Sequence, residues 1–443
     1  MPTIEIAIIG GGASGMAAAI AASKVFAETG RRRNLHAVTL FERNGRQGEK
    51  IRISGGGKCN LTHDGPVDLL LEKGFLEPAE RRFLRHAVHG FTNRRIMEMM
   101  EAEGVKLLSR PDGKVFTRQG NADSVAETLA SLVRRAGVRT VYEARVTGVR
   151  FHEGLFELET GDTLSYARRL IISAGGTSWP QLGTTGDGMR LAVSLGHAKS
   201  AAAPALAPLY LKDPPGSALS GVALRGVSLY AASGRLKAVR RGDVLFTHRG
   251  LSGPAALSLS REAARIMAES GACTLSADLF PFHEPGALDE ELLRHAARHG
   301  SQMVRKFLQG CPIAPQKGIG GGECPNGTIP TALVEHLLHQ GGIGADTIWG
   351  GLQKKRRQAL VAVLKRLPLG ELERVPMEQG EVSAGGVVLS EVNPRTMESR
   401  RVPGLYLTGE VLDYAGEIGG FNLQAAFSTG WLAGMSAAQS EQE

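Results

Sequence analysis

Cysteine is scarce in this 443-residue chain, with four residues, Cys59, Cys273, Cys311 and Cys324, and no pair at C-x-x-C spacing. That spacing is what places two thiolates on one metal, so no structural metal site and no disulfide framework is expected, and a reducing cytoplasm fits. Long apolar runs are also missing: Gly, Arg or Pro breaks each one before the roughly 18 to 20 residues of a membrane span, which points to a soluble protein. Nor is there a basic n-region or a small-residue cleavage site near Met1, which leads straight into strand-like Ile4 to Ile9, so nothing there directs secretion. Aromatic residues are few, at 5%. What remains is ordinary globular composition, 42% hydrophobic and 22% charged, in a chain long enough for two or three domains. The charge is uneven, with 52 Lys and Arg against 44 Asp and Glu, a net +8. This leans towards a polyanionic partner. Basic groups at Arg31 to Arg33, Arg81 with Arg82 and Arg85, Arg94 with Arg95, Arg240 with Arg241, and Lys354 to Arg357 are each consistent with a solvated face.

The first forty residues read as a βαβ unit: a strand at Ile4 to Ile9, an alanine-rich helix from about Ser14, and a strand near His36 to Glu42. A Gly- and Lys/Arg-rich loop is expected from Gly45 to Thr62, then mixed helical material to about Arg135 and a strand pair near Val141 to Thr160. Leu170 to Ala174 reads as a buried strand returning to the same sheet. From about Ser200 to Ser276, short alternating stretches such as Val227 to Ala231 and Val244 to Phe246 predict a β-rich insertion. From about His283 to Leu367 the pattern is helical and basic, interrupted by glycines at Gly318 to Gly327. Val387 to Leu389, Gly404 to Thr408 and Leu423 to Gly434 then read strand, strand, helix. The expected organisation is a Rossmann-type domain from 1–198 and 376–443, a β-rich inserted domain from 199–282 and about 355–375, and a helical inserted domain from 283–354.

Gly10, Gly12 and Gly15 in GGGASG form a G-x-G-x-x-G between strand and helix. The first glycine makes the tight turn, the second lets the backbone approach a pyrophosphate, and the third lets helix and strand pack closely. The helix start, with Ala13 and Ser14, then offers free N–H groups to the phosphates. Glu42 ends the second strand where it can accept hydrogen bonds from an adenosine ribose, with Arg43 beside it. These residues predict a bound dinucleotide.

The late part of the chain selects FAD over a nicotinamide. LIISAGGTSWP (Leu170 to Pro180) resembles the strand and glycine turn of glutathione-reductase-type FAD proteins, with Ala174 and Gly175 at the turn and Val146 on the preceding strand pair as cofactor contacts. GLYLTGEVLDYAGEIGGFNLQAA (Gly404 to Ala426) resembles their closing strand and flavin-facing helix. Gly409 and Glu410 are then placed near the ribityl and pyrophosphate region, and Gly420, Phe421, Asn422 and Leu423 start a helix whose positive end stabilises an anionic reduced flavin. No second G-x-G-x-x-G in strand-turn-helix context is present, since GIGGGE at Gly318 to Glu323 lacks the strand, so NADH or NADPH is expected only as a transient reductant.

ISGGGKCNLTH (Ile53 to His63) is the least ordinary stretch. Three glycines before Lys58, Cys59 and Asn60 suggest a backbone passing very close to a ligand, and the loop is expected beside the isoalloxazine. Cys59 is either a proton donor, its ordinary pKa being about 8.5, or a packing residue. Lys58 either favours a negative flavin or phosphate or is a plain surface lysine. In LFTHRGLSGPAAL (Leu245 to Leu257), His248 and Arg249 precede a turn where a substrate polar group can be held, and His248 is a catalytic candidate against a structural alternative. Arg395 and Glu398 are read as structural or cofactor-supporting.

With these motifs in hand, the chain resembles the BaiN/RdsA (YhiN-type) family of NAD(P)/FAD-dependent oxidoreductases. The resemblance runs from GGGASG through SGGGKCN, SAGGTSWPQLGTTGDG, LFTHRGLSGP and SAGGV to GEVLDYAGEIGGFNLQAAFSTG, nearly the whole chain. Departures are Lys58 where the family has Arg, His63 for the usual Asn, Thr117 where Pro is common, and Phe421 where Tyr is frequent. The resemblance implies an α/β fold, a glutathione-reductase-like FAD domain interrupted by a β-barrel-like and a helical domain. It implies one of two activities: NADH-dependent dihydrouridine synthesis in 23S ribosomal RNA, or reduction of a conjugated C=C bond in a bile-acid or steroid enone. Both add hydride from reduced flavin to the electron-poor carbon of a C=C bond conjugated to a carbonyl and a proton to its neighbour. The basic balance favours RNA, whose base must leave its stack to reach a flavin. A third reading is an RNA-binding or regulatory flavoprotein without turnover.

Overall fold

A computed structural model describes residues 3–30, 37–310 and 329–440. The GIGGGE stretch, Arg31 to Arg33, Cys311 and Cys324 lie outside the described residues. The chain divides into two compact units, Met1–Ala203 with Met377–Glu443, and Pro204–Pro376.

The first unit opens with β1 (Ile4–Ile9), α1 (Ala13–Glu28) and β2 (Val38–Phe41). Next come α2 (Glu49–Gly57), β3 (Thr62–His63), and helices α3 (Val67–Gly74), α4 (Pro78–Gly90) and α5 (Asn93–Ala102). β4 (Leu107–Ser109), β5 (Lys114–Thr117), α6 (Ala122–Arg135), β6 (Arg139–Val141), β7 (Val146–His152), β8 (Leu155–Thr160), β9 (Thr163–Ile172) and α7 (Asp187–Ser194) follow. Part of the segment read as a loop from Gly45 to Thr62 is helical: Ile51 is buried on α2, and regular helix ends at Ser54, where the glycines begin.

After β10 (Ala203–Ala205), the second unit builds a closed six-stranded barrel in the order β11 (Leu209–Leu211), β14 (Gly250–Ser252), β13 (Leu236–Thr247), β12 (Ala223–Ser233), β15 (Thr274–Asp278) and β16 (Leu367–Arg374). Closure leaves no free sheet edge. Helix α8 (Pro254–Ser270) packs on β12 and β13, and α9 (Pro285–Arg298), α10 (Val304–Gly310), α11 (Thr331–Gln340) and α12 (Lys354–Lys365) lie between β15 and β16 in sequence. Leu229, Val244, Phe246 and Leu275 from the strands share one apolar core with Leu288, Phe307, Leu337 and Leu360 from the helices.

The chain then re-enters the first unit with β17 (Val382–Ala384), β18 (Leu405–Leu407) and α13 (Phe421–Gln439). Val387 to Leu389 is not a regular strand: Val387 makes only isolated bridges, to Lys199 and Leu412, before a 3-10 turn at Leu389–Glu391.

The main sheet runs β6-β2-β1-β9-β8-β7, and β18 joins the free side of the end of β9. Strands β6, β2, β1, β9 and β18 are parallel, while β7, β8 and β9 form an antiparallel meander. Ile9 pairs with Ile172, and Ile172 pairs with Leu407, so three strands end at one level. That common carboxyl edge is where ligands of open α/β sheets bind. Among the described residues, no helix is long and apolar enough to cross a membrane.

Candidate cofactor and active site

Three loops leave the common edge: Gly10 to Gly12 after β1, Ser173 to Gly176 after β9, and Thr408 to Glu410 after β18. They are fastened to one another. Ser173 N–H donates to Ile9 O at 2.9 Å and its hydroxyl to the same oxygen at 2.8 Å, while Thr408 N–H donates to Ile172 O at 3.1 Å. Gly10 has φ +100°, and a Cβ there would lie 2.7 Å from Ser173 O. At Gly15 a Cβ would lie 1.9 Å from Gly10 O, so helix and strand touch backbone to backbone. At Gly12, by contrast, a Cβ would meet nothing within 4 Å, which leaves open space in front of α1. The N–H groups of Ala13, Ser14 and Gly15, in the first turn, have no intrahelical partner and carry the positive end of the helix dipole.

Glu42 is buried at the end of β2, its Oε2 accepting from Gly11 N–H at 2.7 Å and Oε1 from Asn44 N–H at 2.8 Å. Burial pushes its carboxyl up from the ordinary range against the pull of those donors. Each oxygen keeps a lone pair for a hydroxyl. Arg43 turns to the loop before α7, donating to Gly183 O and Thr185 Oγ1 at 2.9 Å each, with Asp187 at 3.5 Å. Asp187 also takes both guanidinium arms of Arg145, at 2.7 and 3.0 Å, and Arg190 at 2.9 Å. Burial works against ionisation of Asp187, but the arginines outweigh it and hold the carboxyl well below the usual range. Val146 is buried at the start of β7, and Ala174 and Gly175, the latter at φ +76°, form the turn after β9.

The glycine-rich loop adopts a left-handed turn, with Gly55, Gly56 and Gly57 at φ +57°, +66° and +79°. Side chains rarely adopt three such residues in a row, which explains the glycines. Cys59 follows at φ +52° and is fully buried, so burial pushes its thiol up to about 11. Lys58 is exposed. With the Asn60 amide oriented to suit its neighbours, Oδ1 accepts from Gly420 N–H at 3.0 Å and Nδ2 donates to Thr62 O at 3.3 Å. This ties the loop to the start of α13, where Gly420 is the N-cap at φ +87° and a Cβ would lie 2.5 Å from Thr62 C and O. Thr62 also donates to Gln424 at 2.6 Å. Phe421 is buried against His63, Asn422 holds Gly416 through N–H and C=O at 2.8 Å each, and Leu423 packs on the same core.

Sequence reasoning missed Lys50. From α2 its Nζ donates to Ser178 Oγ at 2.7 Å and to both oxygens of Glu410 at 2.8 Å, which uses all three of its N–H bonds. Gly176 lies against this cluster, since a Cβ there would be 2.0 Å from Ser383 Oγ and 3.1 Å from Glu410 Oε2. No local motif marks Lys50, because its partners lie 128 and 360 residues away. Gly409, at φ +65°, donates its N–H to Thr429 Oγ1 at 3.1 Å.

His248 belongs to the second unit, exposed in the two-residue turn between β13 and β14. Arg395 and Glu398 lie in the first unit, where Glu398 accepts from Gly404 N–H at 2.9 Å and Arg395 N–H donates to Asn393 Oδ1 at 3.0 Å. These bonds are local and hold the turn before β18.

Open space before α1, unpaired amides, a buried carboxylate at the end of β2 and a second helix start at α13 suit a dinucleotide with a flavin at its far end. The residues present fit FAD.

Comparison with known proteins points to the same Rossmann architecture. The family model described as the HI0933-like protein Rossmann domain matches residues 4–436. The chain is 30% identical over 435 residues to the 3-dehydro-bile acid delta(4,6)-reductase of Clostridium scindens, covering 98% of this chain and 99% of that one. It is 30% identical over 434 residues to the ribosomal RNA dihydrouridine synthase of Escherichia coli, covering 97% of each. The Haemophilus influenzae protein of the same name is 28% identical over 443 residues, with 98% of each chain covered.

Proposed function

The chain belongs to the HI0933-like family, and from that premise we propose an FAD-dependent, NADH-driven reductase of a C=C bond conjugated to a carbonyl, acting on uracil in 23S ribosomal RNA in the cytoplasm. Both names carried by its relatives describe saturation of a ring double bond, which supports the reaction class. Charge distribution carries the choice of RNA. Residues 204–376 hold 21 Lys and Arg against 14 Asp and Glu, while the rest of the chain holds 31 against 30. Seven of the eight net positive charges thus fall in the inserted unit, the balance expected where phosphates are gripped. We propose a helical domain, 283–354, inserted in a β-rich one made of 199–282 and about 355–375.

FAD, when bound, supplies a hydride to an electron-poor carbon. The chain contributes binding and orientation. The amides of Ala13, Ser14 and Gly15 would take the pyrophosphate, and Glu42 an adenosine ribose, with Arg43 and Val146 beside it. Ala174, Gly175, Gly409 and Glu410 would line the middle of the cofactor, with Lys50 fixing Glu410. Lys58, Asn60 and Gly420 to Leu423 would hold the flavin end, where the dipole of α13 favours negative charge. Burial of the Cys59 thiol supports a packing role over that of a proton donor. His248, exposed on the second unit, would contact a polar group of the RNA.

A second reading, reduction of a steroid-like enone, is favoured by the Clostridium scindens relative. Purified protein given NADH with either a 23S RNA fragment or a steroid enone separates the two. RNA turnover that falls steeply as salt rises supports the proposal; enone turnover alone, indifferent to salt, overturns it. Flavin that NADH leaves oxidised would return the protein to a role without turnover.

A further inference from the structure

The inserted unit presents a distinctive cationic strip. Along β13, Lys237, Val239 and Arg241 alternate outwards and are exposed, Val239 at 44%, while Arg240 between them ion-pairs with Glu262 at 2.5 Å. The turn after β13 adds exposed Arg249. Many other cations of this unit are neutralised: Lys212 by Glu371 at 2.6 Å, Arg357 by Asp289 at 2.7 Å, Lys365 by Asp278 at 2.7 Å, and Arg225 by Asp243 at 2.5 Å. Among the described residues, no ion pair joins Lys237, Arg241 or Arg249. Two of these three are laid on aromatic rings. The guanidinium carbon of Arg241 is 3.3 Å from the Phe282 ring centre, and that of Arg249 is 4.1 Å from Tyr210. Arg374, paired with Tyr210 across the sheet, lies 5.1 Å from the same ring.

We propose that this face of the barrel, Lys237, Arg241 and Arg249 with their supporting rings Phe282 and Tyr210, is the track that grips single-stranded RNA, an inference that rests on the RNA reading above. A guanidinium held over a ring has given up part of its conformational freedom before the partner arrives. It offers its free face to a base and its N–H edge to a phosphate. Unstacked bases in single strands are read in this way, by stacking on aromatic and arginine planes over a basic groove. The exposed Val239 and Leu245, at 44% and 37%, give bases apolar surface between the cations.

The test uses flavin-loaded, full-length protein and a fluorescent single-stranded 23S RNA oligonucleotide, titrated between about 50 and 200 mM salt. Lys237→Glu, Arg241→Glu and Arg249→Glu together should weaken binding at least about tenfold and flatten the salt dependence by about two units of slope. A charge-matched control, Lys24→Glu, Arg94→Glu and Arg150→Glu in the first unit, should change affinity less than about threefold. Flavin content and NADH bleaching should match wild type in both. Equal weakening by the two triples, or none, overturns the strip. Should the reversal impair folding, Arg241→Lys with Arg249→Lys decides: it keeps the charge and must weaken RNA but not heparin, and equal retention of both overturns the proposal. Wild-type protein that binds no RNA defeats the RNA reading itself, whereas binding that ignores the triple defeats only this surface.

Discussion

Ser14 Oγ donates to Thr408 Oγ1 across 2.6 Å, although 394 residues separate them. The bond sits where the first helix meets the loop after the last strand, and beyond it α1 and α13 run in direct backbone contact. Cβ atoms at Gly430 and Gly434 would lie 2.1 Å from Ser14 O and 2.2 Å from Ala18 O.

Gly430→Ala must push these helices apart. Overpacking of this kind costs about 1–3 kcal/mol. Chemical denaturation should show that loss, and fluorescence titration should show weaker FAD binding, because α1 carries the phosphate amides. Unchanged stability would mean that the close approach is relieved elsewhere.

Lys50→Met leaves Glu410, only 16% exposed, without its cation. A loss of about 1–3 kcal/mol is expected, below the range for a fully buried pair because both side chains keep some contact with water. Lys50→Met combined with Glu410→Gln should be less damaging than the two separate losses summed. A double-mutant cycle measures this, and strict additivity would refute the coupling.

Cys59 links stability to alkaline pH. Its folded pKa, raised from 9.0 to about 11 by burial, lies above the unfolded value. The stabilisation is therefore complete below about pH 9 and is lost as pH rises towards 11, up to about 2–3 kcal/mol. Denaturation midpoints from pH 7 to 11 should fall more steeply for wild type than for Cys59→Ala. Peptide mapping after alkylation at pH 8 should find this thiol unmodified until the protein unfolds.

His63 and Phe421 stack on each other at 4.7 Å with planes 30° apart. Burial lowers the His63 pKa, which keeps the ring neutral. A cycle of His63→Ala and Phe421→Ala should give about 0.5–1.5 kcal/mol of coupling in denaturant melts. Zero coupling would make the stacking incidental.

Local chemistry made the front of the site legible. The glycine spacing, the strands on either side and Glu42 fall within forty residues, and each reports its geometry through φ, burial or strand alternation. The triple glycine announced an unusual backbone because three left-handed residues in succession tolerate little else. Lys50, Ser178, Gln424 and the pairing of His63 with Phe421 were illegible: each acts through a partner more than a hundred residues distant, and one sequence carries no periodicity for that. The barrel showed as alternation in β12 and β13, but β16, which closes it after four helices, reads Leu367 to Arg374 with little contrast. Val387 misled because apolar runs shorter than a strand satisfy the same pattern as a bridge.

The order of the polypeptide also governs how the protein is made. The glycine turn is synthesised before the barrel, but its rear wall is α13, which is synthesised after it. A nascent chain halted anywhere in the barrel would expose the apolar side of α1 and hold no cofactor. Flavin loading is therefore expected only of chains translated through α13, and a colour-based screen of cells would pass over those halted before it.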